Sequence, residues 1–316
     1  MPNQDEKYIV EIGSEREEIA VDRFIDSPLI EQIIPFFGIC SPMYCAFLRT
    51  KKEILVTNPP DKYTYRGDVD VILLPLEGEL KPDELKVLFN KERKCQKNGL
   101  SWDYTGIWNV VGNQLINEGR FKWPPVLNKL IGIEVKVCLA CWDDDKKDVM
   151  LKSLKCGDGK VKKLKDETDS LIKMGFDEVV LLDVIVSQPA SSNKNGQAWL
   201  KAGDFVHRGF DNDGQELINK YDSVMKGLFS SLPDEQFPVG HFVTLWGAVA
   251  GKLENMAGGG SVQPIRYPLP NPCLNDPQVI QVRNQVVNNL KDILNKTEKP
   301  KTLPCVILDC NNKITS

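Results

Sequence analysis

Between residues 131 and 140 the chain alternates without a miss. Ile131, Ile133, Val135, Val137 and Leu139 fall on one side of a pleated strand, and Glu134 and Lys136 fall on the other. This pattern fixes a strand more firmly than any other stretch. It also sets an acid and an amine in the middle of that strand, where an uncompensated buried charge is costly. A second strand candidate, Val69–Leu74, lies between Gly67 and Pro75 and opens with Asp68-Val69-Asp70. Alternation puts Asp68 and Asp70 on one face of it. Three carboxylates and one amine can therefore project together from adjacent strands.

The rest of the chain supplies a core for such a sheet. Its 316 residues allow about two domains, or one with large insertions. Hydrophobic residues make up 41% and charged residues 27%, the balance of an ordinary globular protein. The longest apolar run, Val179–Val186, is broken by Asp183 and falls far short of the roughly 20 residues of a membrane span. The acidic start, MPNQDEKYIV, has no signal-peptide apolar stretch, so a cytoplasmic location is expected. Nine cysteines, an odd count, read as reduced thiols that mostly pack the core. The net charge of −4 argues against a protein coated in nucleic acid but leaves room for a local basic groove. With only His207 and His241, multi-histidine metal chemistry is excluded, so any metal must be held mainly by oxygen.

Along the chain, Ser14 and Glu17 form a capping box for a first helical region carrying Ile19, Phe24, Leu29, Ile30, Ile33 and Ile34, interrupted at Pro28. Strands are expected at Tyr44–Arg49 and Ile54–Thr57 around a turn at Thr50-Lys51-Lys52, then at Val69–Leu74. A long insertion at about 77–130 follows, too long to be structureless. After Ile131–Ala140 come a helix at Val161–Met174, ended by Gly175, and a buried strand at Glu178–Ser187. Further on, an amphipathic helix carries Leu217, Tyr221, Val224 and Leu228. His241–Ala250 reads as a strand or a buried helix, and the Gly- and Pro-rich stretch Asn255–Pro272 as a loop. Asp276 and Pro277 read as the cap and first residue of a long helix whose face is Val279, Val282, Val286, Leu290 and Ile293. Cys305–Leu308 is a last strand candidate. The expected division is a core at 14–190 and an elaboration at 191–316 packed on the same sheet.

Phosphodiester hydrolysis needs the residue types gathered around Asp70 and Glu134. Hard oxygen ligands suit Mg²⁺ or Mn²⁺. Such an ion acidifies a bound water and offsets charge at phosphorus, and a lysine can orient that water. Acid-x-Lys triplets also occur at Glu84–Lys86, Glu92–Lys94, Asp144–Lys146, Asp145–Lys147 and Asp158–Lys160, but these lie in charged, helix-like or loop-like stretches. Only Glu134–Lys136 sits inside a strict apolar alternation. The bland reading of this triplet is a solvent-facing strand with a cross-strand ion pair to Asp70, worth under about 1 kcal/mol. The Cys138…Cys141 spacing fits core packing better than zinc, and the run Asp211–Gly214 fails the calcium-loop spacing.

Asp70 followed by Glu134-Val135-Lys136 resembles the D…(D/E)-x-K signature of the PD-(D/E)xK, or restriction-endonuclease-like, nuclease superfamily. The order of elements over about Ser14–Ser187 is similar to that superfamily's αβββαβ core, a mixed central sheet flanked by helices. The resemblance implies an α/β fold with a helical insertion and a C-terminal extension, and an Mg²⁺- or Mn²⁺-dependent nuclease acting on DNA in restriction, repair or defence against foreign DNA. It implies catalytic roles for Asp70, Glu134 and Lys136 and metal ligation by Asp70, Glu134 and the Val135 carbonyl, with Asp68 as either a further ligand or a cap of its strand. The first-helix glutamate of some members corresponds to Glu15, Glu17 or Glu18. The helix after the second motif offers Lys160, Lys162, Lys163 and Lys165 for nucleic-acid contact. Work as a homodimer or with a partner protein in a complex is also within the family's habits. The rival reading is a non-catalytic nucleic-acid- or protein-binding subunit with the same fold.

Overall fold

The computed structural model describes residues 44–84, 112–143, 148–151, 166–187, 238–249, 252–255, 262–301 and 305–307, together with positions 21, 24, 25, 33 and 37. Among the described residues nine strands form one mixed, open sheet: β1 (Tyr44–Lys51), β2 (Asp68–Pro75), β3 (Ile131–Asp143), β4 (Asp148–Leu151), β5 (Glu178–Ser187), β6 (Val239–Val249), β7 (Lys252–Asn255), β8 (Val262–Arg266) and β9 (Cys305–Ile307). The order along the sheet is β7-β6-β5-β3-β2-β1-β9, with β4 paired to β3 and β8 to β6. β1 runs antiparallel to β2, β2 antiparallel to β3, and β9 parallel to β1. Among the described residues no helix is long and apolar enough to cross a membrane.

By its internal contacts the chain forms two compact units. One comprises Met1–Arg23, Val135–Asp166 and Leu181–Tyr267; the other comprises Phe24–Glu134, Glu167–Val180 and Pro268–Ser316. The expected boundary at 190/191 follows the chain, whereas these units are assembled from interleaved segments.

The second unit is built around β1, β2 and the start of β3. From Val69 to Leu74 every residue of β2 is buried, because β1 and β3 flank it and both of its faces are covered. Gly132 allows close packing over β3: a Cβ there would sit 3.0 Å from the Phe176 ring and 3.1 Å from Leu171. The helical stretch 166–173 ends at Gly175, whose φ of +78° is the left-handed turn that glycine reaches without strain.

The long C-terminal helix, α2 (Pro277–Asn295), forms as its sequence dictates. The Asp276 side chain accepts from the Gln278 N–H at 2.8 Å, and Pro277 occupies the first turn. Val279, Val282, Val286, Leu290 and Leu294 are buried, so the face closes on Leu294 rather than the expected Ile293. Arg283 then ties this helix to the Gly175 turn, donating to the Gly175 carbonyl and to Asp177 (2.8 Å). Gln285 exchanges two hydrogen bonds with the Asn58 backbone, at 2.6 and 3.0 Å. Asn271, buried just upstream, donates to the carbonyls of Ile172 and Phe176, both at 2.8 Å, and accepts from the Cys273 N–H.

Two expectations are corrected. Ile54–Thr57 is not a strand. β1 runs on to Lys51, and Lys52–Leu55 is a short helix, α1, with the Val56 N–H returned to the Lys52 carbonyl. The apolar Ile54, Leu55 and Val56 suit either state, and the continuation of the β1 ladder to Lys51↔Asp68 decides between them. The Asn255–Pro272 stretch is not loop throughout, since Val262–Arg266 is β8, paired with β6 around an irregularity at His241/Phe242. Pro264 is tolerated there because β8 lies at an edge, where a missing N–H leaves no ladder bond unmade. Of His241–Ala250, open between strand and helix in sequence, His241–Val249 lies in β6 and Ala250 falls outside the described residues.

The insertion leaves and returns at one place. Glu79 N–H bonds the Arg120 carbonyl at 3.1 Å, and Lys122 N–H bonds the Glu77 carbonyl at 2.9 Å. Charges fasten this base. Arg120 forks onto Glu84 at 2.7 and 3.0 Å, Lys122 pairs Glu77 at 2.8 Å, and Lys81 pairs Glu118 at 3.0 Å. The Arg120 hydrogen bond holds the Glu84 carboxyl down at about 2. The predicted helix of Leu217–Leu228 lies outside the described residues.

Candidate functional site

The β2–β3 register decides where the sequence-predicted acids meet. Val71 faces Ile133, Ile72 faces Gly132 and Leu73 faces Ile131. Asp70 and Glu134 each lie one residue beyond the last paired residues, Val71 and Ile133, at the end of this ladder. Both are buried, Asp70 4% exposed and Glu134 2% exposed. The solvent-facing reading of Glu134 is therefore wrong for this fold. A central strand takes it indoors, together with Ile131, Ile133 and Val135.

The same ladder reaches β1. Leu48 faces Val71 and Thr50 faces Val69, so Arg49, between them, is level with Asp70. Arg49 and Asp70 thus lie level on β1 and β2, and Glu134 follows the last β3 residue paired with β2. Arg49 is half-buried and carries a φ of +46°, and it is the one described residue other than glycine with a positive φ. A non-glycine side chain in that region costs about 1–2 kcal/mol.

The remaining sequence candidates fall as follows. Lys136 is half-buried, two residues beyond Glu134 on the same strand and so on the same face. Val135 is buried. Asp68 is exposed at the start of β2, opposite the exposed Lys51, which separates it from the buried pair. Lys160, Lys162, Lys163 and Lys165 lie outside the described residues, as do Glu15, Glu17 and Glu18. Among the described residues no group of three or more His, Cys, Asp or Glu side chains is gathered as a metal centre. The acidic pair is two carboxylates, and a third protein ligand, such as the Val135 carbonyl, would come from the backbone.

Carboxylate oxygens are the hard donor type that Mg²⁺ and Mn²⁺ prefer.

Two charged groups escaped the sequence reading. His241 Nε2 lies 2.6 Å from Asp183 Oδ2, and both residues are fully buried. A signal was available: Asp183 is the one charge in Val179–Val186, and a buried acid on a strand requires a partner. Which residue supplies it depends on β6 lying beside β5, a non-local fact. Lys52 is also fully buried, its Nζ reaching the Glu167 carbonyl at 3.4 Å. Nothing in its charged surroundings, Lys51-Lys52-Glu53, marks it as interior. At the start of β5, burial pushes the Glu178 carboxyl up, opposed by Lys129 at 2.8 Å.

No family model, curated protein or solved structure matches the chain.

Proposed function

We propose that this chain is an Mg²⁺- or Mn²⁺-dependent deoxyribonuclease of the restriction-endonuclease-like, PD-(D/E)xK type. The observation that carries the reading is the burial of Asp70 and Glu134 on neighbouring strands, each one residue beyond the paired Val71 and Ile133. Support also comes from the order of elements. The antiparallel strands β1, β2 and β3, with α1 between the first two, are followed by β4, the helical stretch 166–173 and then β5, which lies next to β3 in the sheet.

In this reading Asp70, Glu134 and the Val135 carbonyl hold the ion. When bound, it supplies a Lewis acid that lowers the pKa of water and offsets charge at the phosphate. The protein's own groups do the positioning. Lys136, on the Glu134 face, orients the attacking water and balances negative charge as the water oxygen bonds to phosphorus and the bridging P–O bond breaks. The attacking water gives up a proton to solvent, and the leaving oxygen takes one up from solvent. The aliphatic wall of β2 and β3 keeps bulk water from the acids. The DNA backbone is assigned to the basic run holding Lys160, Lys162, Lys163 and Lys165.

The test is cleavage of plasmid and linear DNA by the purified chain with Mg²⁺ or Mn²⁺, against EDTA. Cleavage in the metal lanes only is expected. Lys136→Ala should lower it at least about a hundredfold with little change in melting temperature. DNA binding without cleavage under every metal condition favours the non-catalytic binding subunit, and normal cleavage by Lys136→Ala removes the mechanism.

A further inference from the structure

We infer that Arg49 is the phosphate-binding residue of this site and that it couples metal binding to binding of a singly charged phosphodiester. The inference rests on the nuclease reading above and adds to it a residue that the acid-x-Lys signature does not contain.

The argument is one of charge and placement. Arg49 lies level with Asp70 in the β1–β2 ladder, and Glu134 follows Ile133, the last β3 residue paired with β2. With Lys136 on the Glu134 face, the four groups carry formal charges that sum to zero. One divalent ion takes the sum to +2, which draws in a singly charged phosphodiester. Arginine suits that role, since its planar fork matches two phosphate oxygens at once. The side chain is half-buried, and the ladder fixes its backbone position. Glycine or asparagine would meet the left-handed backbone at this position more cheaply. An arginine held there at a cost is what a functional requirement produces, although the placement carries the case without it.

Because Arg49 adjoins the acids, it also opposes the metal. Removing its charge should tighten metal binding while weakening the substrate, a pair of opposite effects that loss of structure cannot produce.

Two variants and two readouts test this. Arg49→Asn keeps the backbone geometry accessible and removes the cation; Arg49→Lys keeps the cation and loses the fork. Calorimetric titration with Mn²⁺ alone, without DNA, should show Arg49→Asn binding at least about threefold tighter than wild type. Its kcat/KM for DNA should fall about a hundredfold, and Arg49→Lys should recover part of that loss. Melting temperatures for Arg49→Asn at or above wild type are expected. If wild type cleaves DNA and Arg49→Asn matches it in both Mn²⁺ affinity and kcat/KM, this inference fails and the nuclease reading stands. If wild type neither binds Mn²⁺ nor cleaves, both fall together.

Discussion

Asp70→Asn leaves a folded protein that has lost metal-dependent cleavage, by about a thousandfold, the scale of removing one preorganised electrostatic element from an active site. The substitution is nearly isosteric, so the buried wall of β2 keeps its packing. Its effect on stability separates a site from a scaffold. In the metal-free protein the asparagine keeps the shape and hydrogen-bonding capacity of the side chain it replaces. The metal-free melting temperature should therefore stay close to that of wild type. With Mn²⁺ present, wild type should gain stability by mass action on the folded state while Asp70→Asn gains little. A large destabilisation of the metal-free variant, with no Mn²⁺ effect on wild type, would mean that Asp70 serves the fold alone.

The second large effect lies on the β5–β6 pair. His241→Phe removes the partner held 2.6 Å from the Asp183 carboxylate in a site closed to water. Breaking one side of a buried pair typically costs about 3–5 kcal/mol, because the other charge stays in a medium that solvates it poorly. The double variant Asp183→Leu/His241→Phe removes both polar groups and should recover much of that loss, since apolar replacements of buried pairs are often neutral. Urea unfolding of the two single variants and the double gives the coupling directly. Additive losses would show that the two residues do not act as a pair.

Local pattern made much of the fold legible. The strict alternation at Ile131–Leu139 marks β3, the apolar run after Glu178 marks β5, and Asp276-Pro277 opens α2 where capping chemistry says it should. Gly175 stops its helix for the reason expected of a left-handed residue. What failed was decided by neighbours in space. Ile54–Val56 is apolar enough for a strand, yet the β1 ladder is already complete at Lys51 and the next residues turn into α1. Val262–Arg266 carries a proline and follows three glycines, so only the partner β6 shows that it is a strand.

The candidate site divides the same way. That Glu134 and Lys136 share a face follows from a period of two. That Asp70 and Glu134 both adjoin the paired Val71 and Ile133, and that Arg49 lies level with Asp70, follows only from registers set by the folded ladder. No sequence rule would have paired His241 with Asp183, because 58 residues and two strand assignments separate them.

The central claim is that Asp70 and Glu134 together hold a divalent ion. Calorimetric titration of Mn²⁺ into the metal-free protein tests it most directly, with Glu134→Gln alongside. Saturable uptake by wild type is predicted, weakened at least about tenfold in the variant with its melting temperature intact. Absence of uptake by wild type, or equal affinity in a folded Glu134→Gln protein, contradicts the account.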